Sequence, residues 1–178
     1  MDRGQFWTIV NNAKEASGGS HDRRYRSLVC QLTARSGGEI IAFEEIMGEV
    51  LDDAYRWDLW AAARIMADGC SDDGFQDFRR WVVSLGEEAY LDVLADPESL
   101  IKWQVGEDDV FFEAFGWVAN EAYKISVGRI MAEDMEEAVR TLARPVKEHA
   151  EPAGVRWTDE ESAQRFPRLY ARFHVKEQ

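Results

Sequence analysis

Apolar residues recur at intervals of three and four through most of this chain, the spacing of helices that bury one face. Phe6, Trp7, Ile9, Val10 and Ala13 form a first stripe, stopped by Ser17-Gly18-Gly19-Ser20. Tyr25, Leu28, Val29 and Leu32 form a second, with Ser36-Gly37-Gly38 as its expected stop. Both endings place glycine where a helix commonly turns into the left-handed region. Ile40, Phe43, Met47, Val50, Leu51 and Ala54 give residues 39–55 one apolar face, with Glu44, Glu45, Glu49 and Asp52 largely off it. Trp57, Trp60, Ala61 and Ile65 continue the pattern as far as Asp68-Gly69.

Ser71 then stands where an N-cap is expected, and Asp72 and Asp73 suit the positive end of the helix that follows. That helix carries Phe75, Phe78, Trp81, Val82 and Leu85 and stops at Gly86. Residues 87–95 read as a short helix, and Asp96-Pro97-Glu98 opens another with proline in its first turn. Residues 108–127 read as one broadly apolar helix, central to the core. Its stripe is Phe111, Phe115, Val118, Ala122 and Ile125, widened by Phe112, Ala119 and Tyr123, with Gly128 at its end or kink. Residues 131–143 predict a more polar helix closed by Arg144-Pro145, and residues 148–156 a linker. Thr158 followed by Glu161 is a capping-box pattern, and the segment Phe166-Pro167-Arg168-Leu169-Tyr170-Ala171-Arg172-Phe173 is expected to dock back on the body. No run alternates strongly enough for a strand. The expected fold is all-α: a single-domain irregular multi-helix bundle over residues 1–147, with 148–178 as linker and C-terminal docking segment.

Charge is spread unevenly along these helices. Residues 1–38 hold six Lys/Arg against three Asp/Glu, residues 39–138 seven against 25, and residues 139–178 eight against six. An acidic body within a chain of net charge −13 repels phosphate backbones, which argues against nucleic acid as a partner. Cys30 and Cys70 are isolated and belong to no C-x-x-C pair, as expected of reduced thiols in a cytoplasmic protein. The first residues lack the apolar core of an export signal, and no apolar stretch is long enough to span a membrane.

The candidate chemistry gathers at residues 68–81. Advancing by a helical step per residue, Arg79 falls at the margin of the Phe75–Trp81 arc with Asp72 on its side, while Asp73, Asp77 and Arg80 point away. A guanidinium half inside an apolar face calls for a carboxylate. The favoured expectation is a structural clamp by Asp53 or Asp58 from a neighbouring helix. The functional alternative is a polar pocket of Ser71, Asp72, Asp73 and Arg79 that holds a small charged ligand. Asp68, Asp72 and Asp73 lack the spacing of a calcium loop, and His21, His149 and His174 lie far apart with no zinc motif. No metal or cofactor is expected. Carboxylates beside Cys70 raise rather than lower a thiol pKa, and no nucleophile motif is present, so no catalytic residue is assigned. Asp52 and Asp53 are adjacent and point in different directions. Trp57, Trp60 and Trp81 are expected in the core or between helices.

Several segments resemble a bacterial domain-of-unknown-function family with actinobacterial members, sometimes fused to a WGR-type module. They are Phe6-Trp7-Thr8-Ile9-Val10, Glu39-Ile40 with Phe43, Leu51-Asp52-Asp53-Ala54-Tyr55, Leu59-Trp60-Ala61-Ala62-Ala63 and Gly69-Cys70-Ser71-Asp72-Asp73-Gly74-Phe75 with Asp77-Phe78-Arg79-Arg80-Trp81. The likeness covers roughly residues 3–128, and the C-S-D-D-G-F-x-D-F-R-x-W run carries most of it. It implies no catalytic residue. The first functional expectation is a non-enzymatic cytoplasmic protein-binding domain, of regulatory or immunity-partner type. The alternative is a small-ligand or ion sensor at Ser71, Asp72, Asp73 and Arg79, and an enzyme using the same pocket comes third. The oligomeric state stays open.

Overall fold

Helices begin where a side chain can serve the orphan amides of a first turn. Asp2, Ser36 and Thr158 each cap a helix and are answered by Gln5, Glu39 and Glu161, three reciprocal capping boxes. In the computed structural model, which describes residues 1–103, 110–135 and 151–174, the elements are α1 (Arg3–Ser17), α2 (His21–Thr33), α3 (Gly37–Asp53), α4 (Trp57–Met66), α5 (Asp72–Ser84) and α6 (Glu87–Ala95). A 3-10 turn, Pro97–Ser99, runs into α7 (Leu100–Trp103); a second, Glu113–Trp117, runs into α8 (Val118–Val127). The C-terminal part holds α9 (Asp159–Arg165) and α10 (Pro167–His174). Among the described residues there is no strand, only an isolated parallel bridge between Arg56 and Ala153. The all-α expectation is met.

The stripes named above meet in one core. α1 lies along α2, α2 and α3 pack on α8, and α5 touches α1, α3, α4 and α6. Phe6, Phe43, Phe75, Phe78, Phe115 and Tyr90 are buried at its centre. Phe6 meets Trp7 edge-on at 5.0 Å and Phe43 at 4.8 Å. Aromatic contacts of this kind add to the area they bury. The Tyr90 hydroxyl, deep in this core, donates to the Val50 carbonyl at 2.9 Å.

The segment after residue 150 docks on the body, as its aromatic pattern predicted. α9 and α10 pack on α4, and α10 also on α7. Phe166 and Leu169 are buried, and Arg168 reaches Glu98 at 2.7 Å and Asp96 at 3.3 Å. Ala153 exchanges backbone hydrogen bonds with Tyr55 and Trp57 at 2.8 and 3.0 Å.

Three expectations change. Gly37 and Gly38 do not stop α2, which ends at Ala34; they form the first turn of α3 behind the Ser36 cap. The capping box satisfied by Ser36 and Glu39 outweighs the low helix propensity of two glycines. The expected helix over 108–127 is shorter. Asp108 and Asp109 lie outside the described residues, Phe112 has φ −131° and ψ 67°, and α-helix begins only at Val118. Phe112 is held off the helix by tertiary contacts, its amide donating to the Asp77 carbonyl at 3.1 Å and its ring stacking on His21 at 4.3 Å. The stripe also ends at Ala122, because Ile125 is 56% exposed. The helix expected over 131–143 is seen for 131–135, its remainder and the 147/148 boundary falling outside the described residues.

Candidate functional site

The start of α5 is built by a sharp reversal. Asp68 (φ 51°) and Gly69 (φ 124°) both occupy the left-handed side, which aspartate tolerates and glycine adopts freely. Trp60 Nε1 then pins the turn to α4 by donating to the Cys70 carbonyl at 3.2 Å. Ser71 caps α5 as expected, its Oγ accepting from the Gly74 amide at 3.1 Å.

Arg79, two turns along, is half-buried between rings. Its Cζ lies 4.7 Å from the Tyr55 centroid and 5.1 Å from that of Phe75. Phe75 is in turn stacked on Trp60 at 4.7 Å, and Trp60 on Trp57 at 5.3 Å. The guanidinium does sit against aromatic rings, but its expected clamp is not there. Asp53 pairs with Arg3 at 2.7 Å and Asp58 with Arg56 at 2.8 Å. Among the described residues no carboxylate lies within ion-pair distance of Arg79. Instead Nη1 donates to the Leu51 carbonyl at 2.7 Å. Leu51 belongs to the last turn of α3, where carbonyls lack intrahelical partners and the dipole is negative, so the helix end supplies the acceptor and part of the counter-charge. Nε of Arg79 is buried with no hydrogen-bond partner. Burial lowers the Arg79 pKa, against which Asp52 pulls upward.

Arg79 forms one wall of a cleft of about 610 Å³ between the end of α3 and the start of α5. Asp52, Asp72 and Asp73 line it, with Tyr55, Trp60 and Gln76. Three of the four residues singled out from sequence thus converge. Asp73, expected to point away, lines the cleft, because the first turn of α5 opens toward α3. Ser71 does not line it. Ser71 borders a second cleft of about 430 Å³, together with Asp72, Trp57, Trp60 and, from the C-terminal segment, Arg156 and Trp157. Asp52 and Asp53 diverge as expected, one into the first cleft and one to Arg3. Tyr55, Gln76 and Arg156-Trp157 were missed. Arg156-Trp157 falls in a stretch that read as linker, and only the fold brings it to α4.

The other face of α5 differs. Arg80 Nη1 pairs with Asp77 at 2.7 Å, and Gly116 admits its guanidinium so closely that a Cβ there would lie 2.5 Å from Arg80 Cζ. Glu44 on α3 belongs to the same neighbourhood. Burial pushes its carboxyl up to about 7, with Arg80 pulling the other way.

Cys70 is half-buried, and its thiol is pushed up to about 11, by burial first and then by Asp72 and Asp77, with Arg64 opposing. The expected direction holds, though burial rather than charge leads. Trp81 is buried as expected, whereas Trp57 and Trp60 are only partly covered and line clefts. Among the described residues no group of three or more His, Cys, Asp or Glu is placed to hold a metal ion, and no helix is long and apolar enough to cross a membrane.

Fold and site together define an all-α domain whose most distinctive polar feature is the cleft at the start of α5. The chain belongs to the family DUF4240, proteins of unknown function, whose profile matches residues 1–125. No curated protein and no solved structure matches it.

Proposed function

We propose that the chain is a non-enzymatic binding domain whose α3–α5 cleft takes a small zwitterion of the amino-acid type. The observation that carries this is the Arg79 guanidinium, held against two rings and a helix end with no carboxylate at ion-pair distance among the described residues, in a cleft wall shared with three aspartates. A simple anion suits Arg79 but is repelled by Asp52, Asp72 and Asp73. A simple cation suits the aspartates but is repelled by Arg79. A molecule with a carboxylate at one end and an ammonium at the other satisfies both, and an additional amine suits the acidic excess. The Cys70–Trp81 run, which supplies Asp72, Asp73, Gln76 and Arg79 to this wall, is on this view the working signature of the family. The raised thiol pKa of Cys70 leaves almost no thiolate at neutral pH, which argues against this residue as a nucleophile.

Thermal unfolding of the full chain with lysine, arginine, glycine, acetate and putrescine tests the proposal. A bound zwitterion at a hundredfold excess over its Kd adds about 2.7 kcal/mol of stability. Lysine or arginine should raise the midpoint, acetate and putrescine should not, and Arg79→Met should abolish the response. No shift with any amino acid, or an undiminished shift in Arg79→Met, overturns it.

Protein binding is a second reading with its own support. Trp117, Ile125 and Ile130 are each 56% exposed around α8, and Trp117 and Ile130 line one surface cleft there. The acidic body favours a basic partner in a cytoplasmic setting and disfavours nucleic acid. Trp117→Ser with Ile130→Ser should then abolish stoichiometric capture of that partner without lowering the unfolding midpoint. Capture that survives both substitutions removes α8 from the interface.

A further inference from the structure

The second cleft is chemically unlike the first. Its inner wall is the stacked pair Trp57 and Trp60, with ring centroids 5.3 Å apart and planes 10° apart. Its outer wall comes from beyond the region that the family covers, for Arg156 and Trp157 follow the matched residues 1–125. The Arg156 guanidinium rests 5.0 Å from the Trp57 centroid, and Arg165 rests 4.2 Å from that of Trp157. Neither has a carboxylate within ion-pair distance among the described residues. Arg64 and Asp72 also line the cleft. The Ser71 hydroxyl, whose oxygen accepts from Gly74, keeps its own hydrogen to donate. A body that is strongly acidic thus carries a recess walled by tryptophans and by an arginine, Arg156, with no carboxylate at short range among the described residues.

We propose that this cleft binds a small aromatic anion, a flat ring bearing one carboxylate or phosphate monoester. The ring lies against the tryptophans, which bury apolar area while tolerating a range of ring shapes. The anionic group meets Arg156, within reach of Ser71, because a guanidinium favours planar or multidentate oxyanions. A volume of about 430 Å³ is in the range of small-molecule sites. The C-terminal segment is what closes the recess, held in place by Leu169, Phe166 and the Arg168–Glu98 pair. Ligand choice at this site therefore rests on residues that follow the matched 1–125, and it does not need Arg79, although Trp60 and Asp72 border both clefts.

Titration of the full chain with benzoate and with AMP, each against its uncharged counterpart, benzamide or adenosine, tests this by tryptophan fluorescence. A saturable change is expected with at least one anion, and roughly tenfold weaker binding of its neutral counterpart. Benzoate alone identifies a carboxylate site, and AMP alone a phosphate site. Arg156→Gln, a change at an exposed side chain that leaves the core intact, should weaken the anion by a similar factor, whereas Arg79→Met should leave it unchanged. No saturable change with either anion overturns the proposal, as does equal affinity for the neutral compounds or full affinity in Arg156→Gln.

Discussion

Arg79 and Arg80 are neighbours in sequence with the same charge, yet the two faces of α5 use them differently. Arg80 is paired with Asp77 at 2.7 Å, packed on Gly116 and close enough to Glu44 to bias its titration. Arg79 has a helix end and two rings in place of a carboxylate, and it borders open volume. The first arrangement pairs its charge at short range, although Arg80 Nε, like Arg79 Nε, is buried without a hydrogen-bond partner. The second sets a guanidinium with no carboxylate at ion-pair distance, among the described residues, beside a cleft lined by acids. A half-buried arginine thus marks a candidate binding site through what it lacks, and only if a cavity adjoins the lack.

The contrast breaks first if the rings are not its platform. Phe75 is buried and touches both Arg79 and Trp60, so Phe75→Ala should cost about 3–5 kcal/mol in urea denaturation. A loss under about 1 kcal/mol shows that the stack carries little of the fold.

Glu44 gives the next effect. In the folded chain its carboxyl sits near 7 against an ordinary 4.5, so between those values the folded state keeps a proton that the unfolded state has lost. Stability must then fall as pH rises through that window, by up to ~3 kcal/mol. Glu44→Gln should flatten the decline when denaturation is measured at pH 5 and pH 8. An unaltered slope means that the carboxyl does not titrate there.

Arg80→Met should cost about 2 kcal/mol by stranding Asp77, and should also raise the Glu44 midpoint further because an opposing cation is gone. Proton titration by NMR separates the two effects. The smallest change is expected for Arg79→Met, within about 1 kcal/mol, since losing the bond to Leu51 is offset by relief from burying a charge. A larger loss in thermal denaturation places Arg79 with Arg80 as a structural staple and ends the comparison.

Much of the site was legible because local chemistry writes it. The Ser71 cap, the acidic first turn of α5 and the aromatic setting of Arg79 all follow from spacing along one helix, and all three are found. The partner of Arg79 was not legible. A sequence displays carboxylates as obvious counter-ions, but a carbonyl at the end of another helix has no letter of its own. The side of Asp73 was misjudged for a related reason: at a helix start the facing element, here α3, decides which direction is enclosed. The composite second cleft was beyond reach, since Arg156-Trp157 lies about a hundred residues from Trp57.

What the sequence determined alone is the helical class, the caps and most of the core, including Phe6, Phe43, Phe78 and Trp81, because burial periodicity and capping are local and repeat within a turn or two. The tertiary structure alone decided that residues 110–112 leave the helix, that Leu51 rather than an aspartate receives Arg79, and that the C-terminal segment closes a recess over Trp57. Each depends on which distant surfaces meet, and a side chain's partners are set by that meeting rather than by its neighbours along the chain.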